Sequence, residues 1–91
     1  MREFSIENNL QKILKKLFKR DKTTYEAIME KINEILTCPD VNHYKNLRAP
    51  LQCLKRVHVN GPFVLTFEYF SETDKVAFYD FDHHDGIYST K

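Results

Sequence analysis

The chain has 91 residues, with 14 Lys and Arg against 13 Asp and Glu, so its formal net charge is only +1. A length of this kind predicts one domain over residues 1–91, and a composition of 42% hydrophobic and 30% charged residues argues against disorder. No apolar run approaches the roughly 20 residues that span a bilayer, and no signal-peptide pattern opens the chain, so we expect a cytoplasmic protein. Cys38 and Cys53 are too few for a disulfide framework and lack metal-ligand spacing.

The first twenty residues predict a short strand followed by a basic amphipathic helix. Phe4 and Ile6 alternate with polar residues, as in a strand with one buried face. Asn8 or Asn9 can cap the next helix, in which apolar residues recur at helical spacing. These apolar residues are Leu10, Ile13, Leu14, Leu17 and Phe18. The other helix face carries Lys12, Lys15, Lys16 and Lys19. The lysines form either a solvated helix surface or a patch that faces phosphates.

A second helix is predicted to begin at Thr23 and to end near Leu36. Thr23 and Glu26 have the spacing of a capping box, and Pro39 ends the helical region. The apolar stripe of this helix is Tyr25, Ile28, Met29, Ile32, Ile35 and Leu36. Because the link between the two helices is short, we expect an antiparallel helical hairpin whose stripes pack on a sheet.

The second half of the chain predicts three antiparallel strands separated by turn residues. The strands are Cys53–Val59, Phe63–Phe70 and Lys75–Asp82. The predicted fold is therefore α+β, in the order β-α-α-β-β-β, with the helical hairpin packed on one face of an antiparallel sheet. The other face, or its rim, stays open. Alternation along the middle strand places Val64, Thr66 and Glu68 on that open face.

Four segments of the chain, in order, resemble the RelE/ParE superfamily of toxins from type II toxin–antitoxin systems, and in particular its RelE-like branch. The matching segments are Leu10–Leu17, Tyr44–Arg48, Lys55–Val59 and Asp82–Tyr88. The resemblance extends over nearly the whole chain, and the segments keep the family's order of elements. Val64 is a departure, because the family often has arginine at this position.

The resemblance implies an endoribonuclease that cuts messenger RNA, typically on the ribosome, and that has an antitoxin protein as its partner. It also implies a basic catalytic site that uses neither a metal ion nor another cofactor. The candidate catalytic residues are Arg56, His58, His84 and Tyr88. The candidate RNA-binding residues are Arg48, Lys55 and His83, together with Lys12, Lys15, Lys16 and Lys19.

The chemistry of these residue types agrees with that assignment. Arg56 and His58 share one strand face, and a meander folds this strand towards the segment after the last strand. RNA cleavage needs a base for the 2′-hydroxyl, an acid for the leaving 5′-oxygen and positive charge for the transition state. Histidine can perform the proton transfers near neutral pH, and arginine supplies the fixed charge. Tyr88 can stack on a base or orient the 2′-hydroxyl.

Three alternatives stay open at this point. Arg56 can be a solvated charge, and Tyr88 a rim aromatic that packs on the core. A second set of residues, Asp80, Asp82, His83 and His84, could instead hold Zn²⁺ or Mn²⁺. The chain could also be a toxin-fold protein that only binds, either a ParE-like blocker of DNA gyrase or a catalytically lapsed relative. With Val64 on an open face, we expect slow cleavage that Val64→Arg would speed.

Overall fold

A computed structural model describes residues 1–47 and 53–88, with only the backbone for His84 and Tyr88. The strands are β1 Glu3–Ile6, β2 Lys55–Val59, β3 Phe63–Phe70 and β4 Lys75–His83, and the helices are α1 Asn8–Arg20, α2 Lys22–Thr37 and α3 His84–Tyr88. A 3₁₀ turn lies at Val41–His43. The predicted α+β class and the β-α-α-β-β-β order are confirmed, and α3 is added after the last strand. In the described part of the chain, no helix is long and apolar enough to cross a membrane.

The four strands form one sheet in the spatial order β1-β4-β3-β2. Strands β2, β3 and β4 make the predicted antiparallel meander, and Asn60 and Gly61 in its first turn have φ angles of 60° and 83°. Such positive φ angles are those that Asn-Gly turns favour. Strand β1 pairs in parallel with β4, so that Glu3 lies beside Lys75. The sheet is therefore mixed and not wholly antiparallel. The long connection through α1 and α2 lets β2 run in the same direction as β1, and β4, two antiparallel steps after β2, runs in that direction too.

Helices α1 and α2 cover one face of the sheet and form the main core with it. Its fully buried residues include Leu10, Ile28, Ile35, Leu65, Phe67, Val76 and Phe78. The predicted helix stripes are confirmed in their central turns, where Leu14, Ile28 and Ile32 are buried. Phe18 is the exception, because it is 50% exposed in the last turn of α1 and packs edge-on against Tyr25 at 5.2 Å.

The start of α2 differs from the predicted capping box at Thr23. The helix begins at Lys22, and the cap is Asp21, whose carboxylate accepts hydrogen bonds from the Thr24 amide at 3.2 Å and the Thr24 hydroxyl at 2.6 Å. These bonds lower the pKa of Asp21. Aspartate is among the strongest capping residues. Asp21 is the single residue between the two helices and occupies the N-cap position of α2, so that Thr23 lies inside the first turn of the helix.

A second, smaller core lies on the face of the sheet opposite α1 and α2. Val64, Leu47 and Ile87 are buried there, and Leu54 packs against them. Helix α3 follows β4 without a loop and folds back over this end of the sheet, so closely that a Cβ on Gly86 would lie 2.5 Å from Asp82 Oδ2. Val64 is thus on the predicted face, but the expectation that it is exposed there is wrong. Its exposed fraction is 0%.

We predict that Val64→Arg destabilises the protein instead of speeding RNA cleavage. A guanidinium at this position would enter a small apolar cluster, and burying an unpaired charge costs at least about 3 kcal/mol of the free energy of unfolding. Val64→Ala removes only two methyl groups and should cost roughly 2 kcal/mol.

Urea denaturation of both variants measures these losses, and Glu72→Arg, at an exposed position in the β3–β4 turn, is the control for added positive charge. A Val64→Arg protein as stable as the wild type would show that this face is open after all.

Candidate functional site

Arg56 and His58 lie side by side on the sheet face that points away from α1 and α2. Across β3, Arg56 is opposite Thr66 and His58 is opposite Val64, whereas Val57 pairs with Leu65 in the main core. Arg56 is half-buried and His58 is exposed. The structure therefore brings the two predicted catalytic residues of β2 together on one face, at the margin of the small cluster around Val64.

A polar pair, Glu68 and Tyr79, continues this face beyond Arg56. The Tyr79 hydroxyl donates a hydrogen bond to Glu68 Oε1 at 2.9 Å, and both side chains are half-buried. Burial, followed by the bond to Glu68, raises the pKa of Tyr79 to about 12. The alternation of side chains along β3 correctly predicted the sheet face on which Glu68 lies, but it did not predict the hydrogen bond from Tyr79. The pairing of β3 with β4 shifts between Thr66 and Phe67, and Tyr79 is the extra residue on β4.

Helix α3 brings the backbone of His84 and Tyr88 to the same end of this face. Ile87 of α3 is buried against Val64, and Val64 is the cross-strand neighbour of His58. The predicted convergence of β2 with the segment after β4 is thus present at the level of the backbone. Arg48, the predicted RNA-binding residue before β2, lies outside the described residues.

Lys55 does not join the predicted RNA-binding set. It lies on the helix-covered face, opposite Phe67, with an exposed fraction of 7%. Its ammonium group donates hydrogen bonds to the Tyr44 carbonyl at 3.2 Å and to Asn46 Oδ1 at 3.1 Å. Burial lowers the pKa of Lys55, and the nearby charge of Asp40 opposes this effect. The ammonium group of Lys55 is therefore occupied by hydrogen bonds within the protein.

The remaining predicted RNA-binding residues are also separated from Arg56. His83 pairs with Phe63 on the helix side of the sheet, edge-on to the Phe63 ring at 5.7 Å, and its Nδ1 accepts a hydrogen bond from the Asp85 amide at 3.2 Å. Four exposed lysines project from α1, which packs on the helix side of the sheet. They are Lys12, Lys15, Lys16 and Lys19. The sheet itself lies between these groups and the Arg56–His58 face.

The carboxylates of the alternative metal site serve as hydrogen-bond acceptors. Asp80 Oδ1 accepts from Asn9 Nδ2 and from the Phe81 amide, both at 2.8 Å, and Asp82 Oδ1 accepts from the His83 amide at 2.8 Å. Among the side chains that the structure describes, no three His, Cys, Asp or Glu residues gather as a metal site.

A groove of about 460 Å³ lies on the helix side, between the end of β1 and the two long helices. Its apolar lining residues are Ile6, Leu14, Phe18, Tyr25 and Met29. The exposed residues Gln11, Lys15 and Lys19 also line it. This is a surface with an apolar floor and positive charge beside it, on the opposite side of the sheet from Arg56.

No family model matches the chain, but individual proteins do. It is 50% identical over 91 residues to "Putative toxin RelE4" of Methanocaldococcus jannaschii, an alignment that covers 100% of this chain and 95% of that protein. Its fold is similar to the intact E. coli RelBE toxin–antitoxin complex, with a TM-score of 0.66, 15% identity and coverage of 91% of this chain and 96% of the other. It is also similar to E. coli YafQ, with a TM-score of 0.65, 18% identity and coverage of 98% and 100%.

We predict that truncating Lys55 and Arg56, which are adjacent in sequence, has unequal effects on stability. Lys55→Ala leaves the Tyr44 carbonyl without its buried donor, which should lower the free energy of unfolding by about 2 kcal/mol. Arg56→Ala removes a charge at a partly solvated surface and should cost less than about 1 kcal/mol. Equilibrium unfolding of the two variants beside the wild type measures both values, and a larger loss for Arg56→Ala would mean that the two faces of β2 are exchanged.

Proposed function

The chain belongs to the RelE family of toxins, and from this premise we propose that it is a toxin that cleaves messenger RNA without a metal ion and thereby inhibits translation. The observation that carries the proposal is the placement of Arg56 beside His58 on a sheet face free of α1 and α2. The backbone of α3 reaches the same end of this face. The substrate would be messenger on the ribosome, in the cytoplasm.

Each residue has a role that follows from its chemistry. Arg56 would hold the scissile phosphate and stabilise the negative charge that grows on it in the transition state, because a guanidinium stays charged and binds phosphate oxygens in pairs. His58 and His84 would exchange protons with the reacting oxygens, since imidazole titrates near neutral pH. Tyr88 would stack on a base of the message.

A toxin that only binds is the second candidate, and Val64 is the observation that favours it. The RelE/ParE resemblance puts arginine at this position in many members, whereas here an aliphatic side chain is buried against Leu47 and Ile87. An arginine that could donate hydrogen bonds to a phosphate is therefore replaced by a valine that only makes apolar contacts. If this protein blocks a target without cleaving RNA, the same Arg56–His58 face would serve as the contact surface.

We predict that Arg56→Ala lowers the rate of messenger cleavage by about 10²–10³-fold, the usual cost of removing one transition-state donor. The measurement is single-turnover cleavage of message on programmed ribosomes, with Arg20→Ala as the matched control because Arg20 is an exposed arginine at the end of α1. EDTA should leave the wild-type rate unchanged.

Two results of this experiment would count against the proposal. If Arg56→Ala cuts as fast as the wild type, the catalytic assignment is wrong. If EDTA stops cleavage and Zn²⁺ or Mn²⁺ restores it, the carboxylates around Asp80 and Asp82 become the better candidates.

We also propose an antitoxin as the partner, bound through the groove beside α1. One solved structure with a similar fold is a toxin–antitoxin complex. In this chain, the groove has an apolar floor and lysines beside it, and Phe18 is 50% exposed at its edge. These features fit an amphipathic helix that buries apolar residues on the floor and places carboxylates against Lys15 and Lys19.

We predict that Phe18→Glu weakens this complex at least about tenfold, because it puts a carboxylate where an apolar residue of the partner would bury. The assay is co-purification and calorimetry with the product of the reading frame that neighbours the toxin's, at low and high salt. Phe70→Glu is the control, since Phe70 is 39% exposed on β3, outside the groove. Equal weakening by both variants, or a complex insensitive to salt, would place the antitoxin elsewhere.

A further inference from the structure

Glu68 lies on the same face as Arg56 and is its diagonal neighbour across the β2–β3 pair. Arg56 is opposite Thr66, and Glu68 follows Thr66 by two residues, so the two side chains extend from the same face. Diagonal neighbours in an antiparallel pair are about 7–8 Å apart, within reach of long side chains. His58 follows Arg56 by two residues along β2 and lies opposite Val64, on the side of Arg56 away from Glu68. Arg56 is therefore flanked by a carboxylate on one side and an imidazole on the other.

The Glu68 carboxylate is held in place by Tyr79. The hydroxyl of Tyr79 donates to Oε1 at 2.9 Å, and burial together with this bond raises the pKa of Tyr79 to about 12. Within the described residues, Oε2 has no hydrogen-bond partner, so one carboxylate oxygen is positioned while the other can accept a proton. Neither apolar core includes Glu68.

A carboxylate beside the phosphate-binding arginine is unfavourable for binding RNA, because it repels the phosphate. The same carboxylate is useful for cleaving RNA, because attack by the 2′-hydroxyl needs a group that removes its proton. The base and the acid must also act on opposite sides of the phosphorus, since the attacking and leaving oxygens are in line. Glu68 and His58 lie on either side of Arg56 in the β2–β3 register, which is the order that this requirement calls for.

We propose that Glu68 is the general base of RNA cleavage and that Tyr79 is its positioning residue, an assignment that rests on the proposed ribonuclease function. Glu68 takes the proton of the 2′-hydroxyl, and the 2′-oxygen forms a bond to phosphorus while Arg56 holds the phosphate. The bond from phosphorus to the 5′-oxygen breaks, and the leaving oxygen takes a proton from the His58 imidazolium. The products are a 2′,3′-cyclic phosphate and a 5′-hydroxyl. In this scheme Glu68 replaces His84 as the group that exchanges a proton with the 2′-oxygen, and His84 would bind the message instead.

The test compares Glu68→Gln with the wild type in single-turnover cleavage of message on programmed ribosomes over a range of pH. The amide still accepts the bond from Tyr79, so the fold is kept while the base is lost. We expect a fall of about 10²–10⁴-fold in rate and loss of the acidic limb of the pH–rate profile, where protonation of the base slows the wild type. Glu68→Asp, which retains a carboxylate, should keep that limb, and Glu72→Gln in the exposed β3–β4 turn should match the wild type.

Among the described residues, the charged and titratable groups near Glu68 and Tyr79 come from several neighbouring elements. Arg56 faces Glu68 from β2, Tyr79 faces it from β4, and the charges of Glu7 and Cys53 lie close enough to act on Tyr79. Tyr79→Phe should slow the single-turnover cleavage step about tenfold and leave the affinity for message unchanged, because the carboxylate remains but is no longer held in place. A role of Tyr79 in stability alone would leave the cleavage rate of the folded protein unchanged.

A substrate with an activated leaving group separates the base from the acid. A ribonucleoside 3′-(p-nitrophenyl phosphate) needs a base for its 2′-hydroxyl but no acid for its leaving phenolate. On this substrate, His58→Ala should retain nearly the wild-type rate, whereas Glu68→Gln should stay slow. If Glu68→Gln cleaves message at the wild-type rate with an unchanged profile, Glu68 is not the base and the ribonuclease function still stands. If the wild type cleaves neither substrate, the ribonuclease function is wrong and the base assignment falls with it.

Discussion

The burial of the central strand β3 on both of its faces is the constraint on which the rest of the structure depends. Leu65 and Phe67 pack under the two long helices, while Val64 packs under α3, and Val64, Leu65 and Phe67 have no exposed surface. A strand fixed on both sides cannot slip by one residue, because a slip would exchange its two side-chain sets. The register of β2 is therefore fixed as well, and Arg56 and His58 take the face opposite the helices.

This arrangement divides the molecule into two surfaces with different chemistry. One surface carries Arg56, His58 and Glu68 on the sheet, and α3 and its small cluster border it. The other surface carries the lysines of α1 and the apolar groove. Successive residues of β2 alternate between the two surfaces, so that Lys55 lies on the helix side of the sheet and its neighbour Arg56 lies on the other side. Under the proposed function, the division would let the protein bind an antitoxin on one side and RNA on the other, each by contacts of its own.

Most of the fold could be predicted because local patterns and tertiary packing agree. The helix stripes, the Asn60-Gly61 turn and the limits of β3 follow from periodicity and turn chemistry. The small cluster around Val64 could not be predicted, since its members are distant in sequence and the five residues of α3 are too few to show a helical period. Each face of β2 also carries a charged residue, so the pattern gave no reason to bury Lys55. The partner of Glu68 depends on an irregular β3–β4 register that leaves no sequence signal.

We propose that RNA binds on the sheet face opposite the two long helices. A titration of the ¹⁵N-labelled protein with a short 2′-O-methylated RNA, which binds but lacks the attacking hydroxyl, tests it most directly. Amide shifts concentrated on β2 and the centre of β3, around Arg56, His58 and Thr66, with α1 unaffected, are the expected result. Shifts confined to the α1 lysines and the groove would contradict the claim and would make the helix side the RNA-binding surface.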